Sequence, residues 1–202
     1  MLTLKKVAVT GGLASGKTLV CSLLKELGAY VVSADQIVHQ LLSPDTCLGK
    51  KIINLLGSDI VRDTKFDKRI IANKVFSNQS LLRKYEALIH PSVIQEIENE
   101  YQHAREKKYK LFIAEVPLLF EGGLENLFDE TVVVAASEQT RCNRFLQRDG
   151  ASFNNFYERQ SMQMPVEKKI QKANQVLFND EGIESLKLKT MHLFNQLVAD
   201  KE

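Results

Sequence analysis

The sequence predicts an α/β fold: an open, parallel, five-stranded sheet with helices on both faces. Three observations carry this reading. Short β-rich apolar runs alternate with longer helical patterns, the rhythm of βα units. The runs are near-continuous Val, Ile, Leu and Ala, as expected of strands buried on both faces of a parallel sheet. The length, 202 residues, suits one substantial domain with a small appended lobe.

The five runs are KVAVT (6–10), YVVSA (30–34), KLFIAEV (110–116), TVVVAA (131–136) and QVLFN (175–179). The first two are joined by TLVCSLLKELG (18–28), where Leu19, Val20, Leu23, Leu24 and Leu27 recur at helical spacing and Gly28 is a C-terminal stop. That makes a βαβ unit. No strong strand is visible between Asp35 and Lys110, and four helical stretches fill the interval, the last from Gln79 to Glu106. A helical insert is the simplest account. The stretch 138–172 is polar, rich in arginine and poor in large apolar residues, which suits a mobile lid. A final helix over 183–200 offers Ile183, Leu186, Leu193 and Leu197 to the sheet. The expected division is a core of 1–35, 107–137 and 173–202, an insert of 36–106 and a lid of 138–172.

Composition excludes several classes of function. A net charge of +2 is too small for a nucleic-acid footprint, and no apolar run approaches the roughly 18 residues of a membrane span. The N-terminal residues lack the apolar core of a signal peptide. The three cysteines form no C-x-x-C pair and the four histidines no metal-ligand spacing. The expectation is a protein of the reducing cytoplasm.

Residues 11–18, GGLASGKT, match G-x-x-x-x-G-K-[ST] between a strand and an amphipathic helix. Glycines let the backbone wrap a phosphate chain and turn successive N–H groups inward, and the helix start adds partial positive charge. Gly11, Gly12, Leu13, Ala14, Ser15, Gly16, Lys17, Thr18 and Leu19 are the expected nucleotide contacts. Lys17 reaches the β- and γ-phosphates, and the Thr18 hydroxyl joins the Mg²⁺ shell. A tight turn without a ligand is the alternative. Asp35 follows the second strand, on the side where open parallel sheets hold ligands. A carboxylate there takes a proton from an attacking hydroxyl or helps hold Mg²⁺ through water; equally, it N-caps the next helix.

GGLASGKT, SADQIVHQL, LIHPSV (88–93), EVPLLFEGG (115–123), RFLQRDG (144–150) and Gln163, Lys169 and Asn179 occur in one order. From about residue 5 to 182, this set resembles the dephospho-coenzyme A kinase family. The resemblance implies a P-loop kinase-like fold with a helical substrate-binding insert and a helical lid. It implies ATP-dependent phosphorylation of the ribose 3′-hydroxyl of dephospho-CoA, the last step of coenzyme A synthesis, with Mg²⁺ and with no nucleic-acid, membrane or obligate protein partner. Asp35 falls where the family's proposed catalytic aspartate falls.

Lys17, Asp35, Arg144 and Arg148 form the expected catalytic set. Arg141, Arg144 and Arg148 share one helix face by spacing. The resemblance favours Arg144, Arg148 and Arg159 over the triphosphate or substrate, and leaves Arg141 to the surface. Glu115, ending the third run, supports the metal shell or pairs locally. Glu121 orients substrate or ties its loop together. His90, beside a proline that starts or kinks a helix, contacts substrate or packs in the interior. Asn179 meets the adenine or forms a turn. Lys68 is a substrate contact where the family commonly has arginine. Two further departures are Ala14, where glycine is usual, harmless if its backbone is ordinary, and Asn174, where aspartate is common. Two rival functions stay open. One is a kinase for another small acceptor, such as a nucleoside monophosphate or a shikimate-like alcohol. The other is a GTP-driven switch, although the sequence holds no N-K-x-D motif.

Overall fold

The computed structural model describes residues 4–148 and 150–199, apart from the side chain of Phe76. In chain order the elements are β1 (Lys5–Gly11), α1 (Lys17–Glu26), β2 (Tyr30–Ser33), α2 (Ala34–Leu41), α3 (Cys47–Leu56), β3 (Val61–Arg62), β4 (Lys65–Phe66), α4 (Lys68–Phe76) and α5 (Gln79–Glu106). There follow β5 (Leu111–Glu115), β6 (Glu130–Ala135), α6 (Glu138–Leu146), α7 (Phe153–Ser161), α8 (Val166–Lys172), β7 (Gln175–Phe178) and α9 (Ile183–Ala199). The residues fall into two compact units, one running to Ser33 and resuming at Tyr101, the other Ala34–Glu100.

The first unit holds a five-stranded sheet in the order β2-β5-β1-β6-β7, with every pair parallel. β1 lies at the centre, and the chain leaves it first toward β2 and later toward β6. It is therefore the switch point where such sheets open a crevice at their carboxyl ends. β5 is buried throughout, as are the central residues of β1 and β6, while β2 and β7 are partly covered, as edge strands are. Val7, Val9, Ile113 and Val134 meet Val20 and Leu24 of α1 and Leu186, Leu193 and Leu197 of α9 in one core.

Two helix faces differ from expectation. α1 buries Val20, Cys21 and Leu24, but Leu19 and Leu27 stay 42% and 38% exposed. α9 buries Leu186, Thr190, Leu193 and Leu197 and leaves Ile183 exposed. A helix meets the sheet along one stripe, so apolar residues a quarter-turn away miss it. The buried Thr190 hydroxyl is satisfied by donating to the Leu186 carbonyl at 2.8 Å.

The second unit is helical, with one small hairpin that the sequence reading did not include. β3 and β4 pair antiparallel across Asp63 and Thr64, whose φ angles of 46° and 65° mark a two-residue turn of the primed type. Two residues a strand is too short for a periodic signal, and Asp-Thr lacks the usual Asn-Gly chemistry. The Asp67 carboxylate caps α4 by accepting from Arg69 N and Ile70 N. α5 continues through Pro91 for 28 residues, so the proline does not start a helix. Ile89, Val93 and Ile97 keep one face of α5 buried across that point. Among the described residues no helix is long and apolar enough to cross a membrane.

Candidate active site

The loop between β1 and α1 is shaped by backbone requirements. A Cβ at Gly11 would lie 2.2 Å from the Val134 carbonyl oxygen, and one at Gly16 would lie 2.3 Å from Asn179 Nδ2. Gly16 also takes φ 97°, open chiefly to glycine. Ala14 does not have the ordinary backbone that would make it harmless: its φ is 57°. Left-handed alanine costs about 1 kcal/mol. Its methyl, however, joins Cys142, Phe145 and Phe156 in a small buried cluster, with Leu13 packed alongside.

Within the loop, Lys17 Nζ donates to the carbonyls of Gly11 at 3.2 Å and Gly12 at 2.9 Å, so the ammonium lies over the turn. The Ser15 carbonyl accepts from Asn179 Nδ2 at 2.9 Å and from Arg144 Nη1 at 3.5 Å. Arg144 Nη2 in turn donates to Asn179 Oδ1 at 3.3 Å. Asn179 is buried, and its amide is engaged by the loop and by α6, a setting that neither a free turn residue nor an open base contact describes. Ser15 Oγ is buried without a partner among the described residues.

Thr18 Oγ1 donates to Glu115 Oε1 at 2.8 Å. Glu115 ends β5, next to β1 in the sheet, and is nearly buried. A hydroxyl and a carboxylate side by side are hard oxygen donors of the kind Mg²⁺ takes, and Mg²⁺ needs only one or two protein groups beside phosphate and water. One turn along α1, burial pushes the Cys21 thiol well above its ordinary pKa, Glu115 pushes it the same way and Lys17 opposes both. Cys21 is therefore a neutral packing group. All three cysteines are free.

Residues 138–172 hold more apolar packing than their sequence suggests. Phe156 is fully buried between α6 and α7, and its ring lies 5.6 Å from that of Phe145. Arg141 is a correction: it is 4% exposed, not a surface residue. Its Nε donates to the Ala136 carbonyl and its Nη1 to Gln160 Oε1 at 2.6 Å, and it sits over the Phe156 ring. A Cβ at Gly12 would lie 3.2 Å from Arg141 Nη1, so this guanidinium backs the loop. α6 ends at Leu146, so Arg148 does not share its face with Arg141 and Arg144. Instead the exposed Arg148 and Arg159 guanidinium groups each lie 5.8 Å from the centre of the Phe145 ring. The start of α6 is tied to β7 by Asp180, whose Oδ1 accepts from Ser137 N at 2.9 Å. Burial alone would raise the Asp180 pKa, but hydrogen bonds from Ser137 and Thr140 and the charge of Arg144 bring it below the ordinary value.

Glu121 acts as a tie. Its Oε1 accepts from Met164 N at 2.8 Å and pairs with Lys169 Nζ at 2.9 Å. Lys169 is fully buried and also donates to the Pro117 carbonyl. Asn174 Oδ1 accepts from both N and Oγ1 of Thr131, linking β6 to the start of β7. An aspartate would accept the same two bonds, so this departure is a matter of strand pairing.

In the second unit, Asp35 lies in the first turn of α2, inside the helix, so it is not the N-cap. Its carboxylate is exposed and lines a cavity of about 590 Å³ with His39, Lys65, Lys68, Phe66 and Tyr85. Burial raises the Tyr85 pKa. His39 was missed, although its place four residues after Asp35 put both on one helix face. His90 is exposed on α5, so the interior packing reading fails.

The family model of dephospho-CoA kinase matches residues 5–185. Curated dephospho-CoA kinases of Chlamydia felis and Chlamydia pneumoniae are 44% and 45% identical over 198 residues, covering 98% of each chain. Among solved structures, one from Thermus thermophilus superposes with a TM-score of 0.84 at 29% identity, covering 98% of both chains. The dephospho-CoA kinase of Campylobacter jejuni gives 0.72 at 24% identity over 97% of this chain and 98% of that one, a likeness of fold. A parallel sheet switching direction at a phosphate loop, and whole-length similarity of this order, lead to one conclusion: the chain belongs to the dephospho-CoA kinase family.

Proposed function

We propose that this chain transfers the γ-phosphoryl group of ATP to the ribose 3′-hydroxyl of dephospho-CoA, giving coenzyme A, in the cytoplasm. The observation that carries the nucleotide half is the loop itself. Lys17 lies against the Gly11 and Gly12 carbonyls, and the Thr18 hydroxyl is bonded to Glu115. The acceptor half rests on family membership along nearly the whole chain.

Inward N–H groups of residues 11–18 and the start of α1 cradle the β- and γ-phosphates. Lys17 exchanges its carbonyl partners for phosphate oxygens. Thr18 and Glu115 are the groups that would hold Mg²⁺, and the ion would supply charge neutralisation at the phosphates. Arg144, fixed by Asn179, and Arg148 and Arg159, stacked on Phe145, face the spreading negative charge. Asp35 accepts the proton of the 3′-hydroxyl as the bond to phosphorus forms. Lys68, His90 and Glu121 are assigned to substrate, Glu121 through the loop it fixes. Closure of 138–172 would exclude water, which otherwise competes as acceptor.

The test is to mix the protein with ATP, Mg²⁺ and dephospho-CoA and to look by mass for the 3′-phosphorylated product. Parallel mixtures replace dephospho-CoA with shikimate or a nucleoside monophosphate. Product from dephospho-CoA alone supports the proposal, and preferential turnover of another acceptor overturns it.

A further inference from the structure

We propose that the first unit carries a second anion site, for a phosphorylated small molecule with a planar ring, at the amino ends of its strands. A cavity of about 630 Å³ opens there, lined by Lys107, Lys108, Lys110, Tyr109, Leu27 and Phe194. Lys110 immediately precedes β5, and Gly28, also in the lining, closely precedes β2. The phosphate loop leaves the carboxyl end of β1, so in this parallel sheet the two lie at opposite ends.

Charge is the first argument. No carboxylate lines the cavity. Several lysines elsewhere have a carboxylate beside them: Lys5 with Glu130, Lys74 with Asp59, Lys172 with Glu125, Lys187 with Glu184 and Lys189 with Glu181. Among the described residues, the side chains of Lys107, Lys108 and Lys110 form no hydrogen bond or ion pair. Three exposed ammonium groups within four residues, with no carboxylate among them, make a local positive field, and ammonium groups are ordinary phosphate binders.

The floor is the second argument. Tyr109 is 37% exposed, yet its ring is held edge-on against Tyr30 at 5.2 Å. With Phe194 and Leu27 it offers a fixed apolar surface beside the charges. The volume is in the range of small-molecule sites. The third argument is backbone. Lys108 has φ 61° in the turn that closes α5, a position where glycine is the economical residue. The turn is held by Lys108 N on the Arg105 carbonyl and Tyr109 N on the Ala104 carbonyl. A lysine kept in left-handed backbone gives up stability that glycine would restore.

ADP and coenzyme A both have the required chemistry, and the proposal is independent of the acceptor assigned above. The test uses the full chain with Lys17→Ala, which disables the phosphate loop, titrated separately with ADP, coenzyme A, pyrophosphate and adenosine. The expected result is saturable binding of ADP or coenzyme A that shifts the amide resonances of Gly28 and Tyr109 and weakens with added salt; pyrophosphate and adenosine bind more weakly. Adding Lys107→Ala with Lys110→Ala lowers the affinity on the order of tenfold. Lys108→Gly separates ligand from fold, because it raises the melting temperature while weakening binding. The proposal is overturned by unshifted Gly28 and Tyr109 amides, by affinity indifferent to the lysine changes, or by binding confined to an acidic peptide or phosphatidylserine vesicles.

Discussion

Asp35 and Asn179 illustrate what single side chains contribute. Asp35, the proposed base, is an exposed carboxylate in the first turn of α2 that lines a cavity with Lys65 and Lys68. Asp35→Asn is expected to lower the single-turnover rate by about 10²–10⁴-fold while calorimetric ATP affinity holds. Retained turnover would remove Asp35 from the base role. Asn179 serves the loop from behind: Asn179→Ala strips a partner from the Ser15 carbonyl and from Arg144. That variant is expected to lose about 1–3 kcal/mol in denaturant unfolding and to raise the KM for ATP. Ala14 balances two terms, left-handed backbone at about 1 kcal/mol against burial of one methyl at about 0.8 kcal/mol. The two nearly cancel, which is why a departure from glycine survives there.

At the scale of elements, the tie between the 116–124 loop and α8 is asymmetric. Glu121→Ala leaves Lys169, fully buried, with only the Pro117 carbonyl among the described residues. Lys169→Met removes the buried charge and leaves Glu121 its Met164 bond. Urea unfolding should find Glu121→Ala the costlier, by about 3 kcal/mol for the lost partner, and Lys169→Met milder. Equal losses would mean that water reaches the ammonium. The anchor of α6 adds a pH dependence. Because the folded Asp180 pKa lies below the ordinary 3.8, its contribution is present above that value and fades as pH falls through the folded pKa. The melting-temperature gap between the native chain and Asp180→Asn should therefore shrink below pH 3.8. In the β3–β4 hairpin, Asp63→Asn with Thr64→Gly supplies the residues that a turn with φ 46° and 65° prefers. Melting should show a gain of about 1 kcal/mol.

For the molecule as a whole, the central position of β1 couples nucleotide binding to global stability. Its residues pair with both β5 and β6, so a ligand held by the loop after β1 acts on the middle of the core. ATP with Mg²⁺ at about 100 times its Kd should add about 2.7 kcal/mol, read as a rise in melting temperature. The rise should be abolished by Lys17→Ala, and chelation of the metal should abolish turnover.

Local chemistry was enough to determine the five strands of the parallel sheet, the phosphate loop and the helices between Asp35 and Lys110, but not the β3–β4 hairpin among them. Each rests on neighbours in sequence: apolar runs, glycines at fixed offsets and helical periodicity. The same periodicity placed Arg141 on a helix face but held no information about what covers that face. Only packing against Gly12, Gln160 and Phe156 decided that it is buried. The tertiary structure alone likewise joined Asn179 to Ser15, 164 residues apart, and Glu121 to Lys169. It also placed Ala14 in left-handed backbone beside Phe145 and Phe156. The physical reason is that spacing along a chain fixes the direction of a side chain within its own element, whereas burial and partners depend on elements distant in sequence.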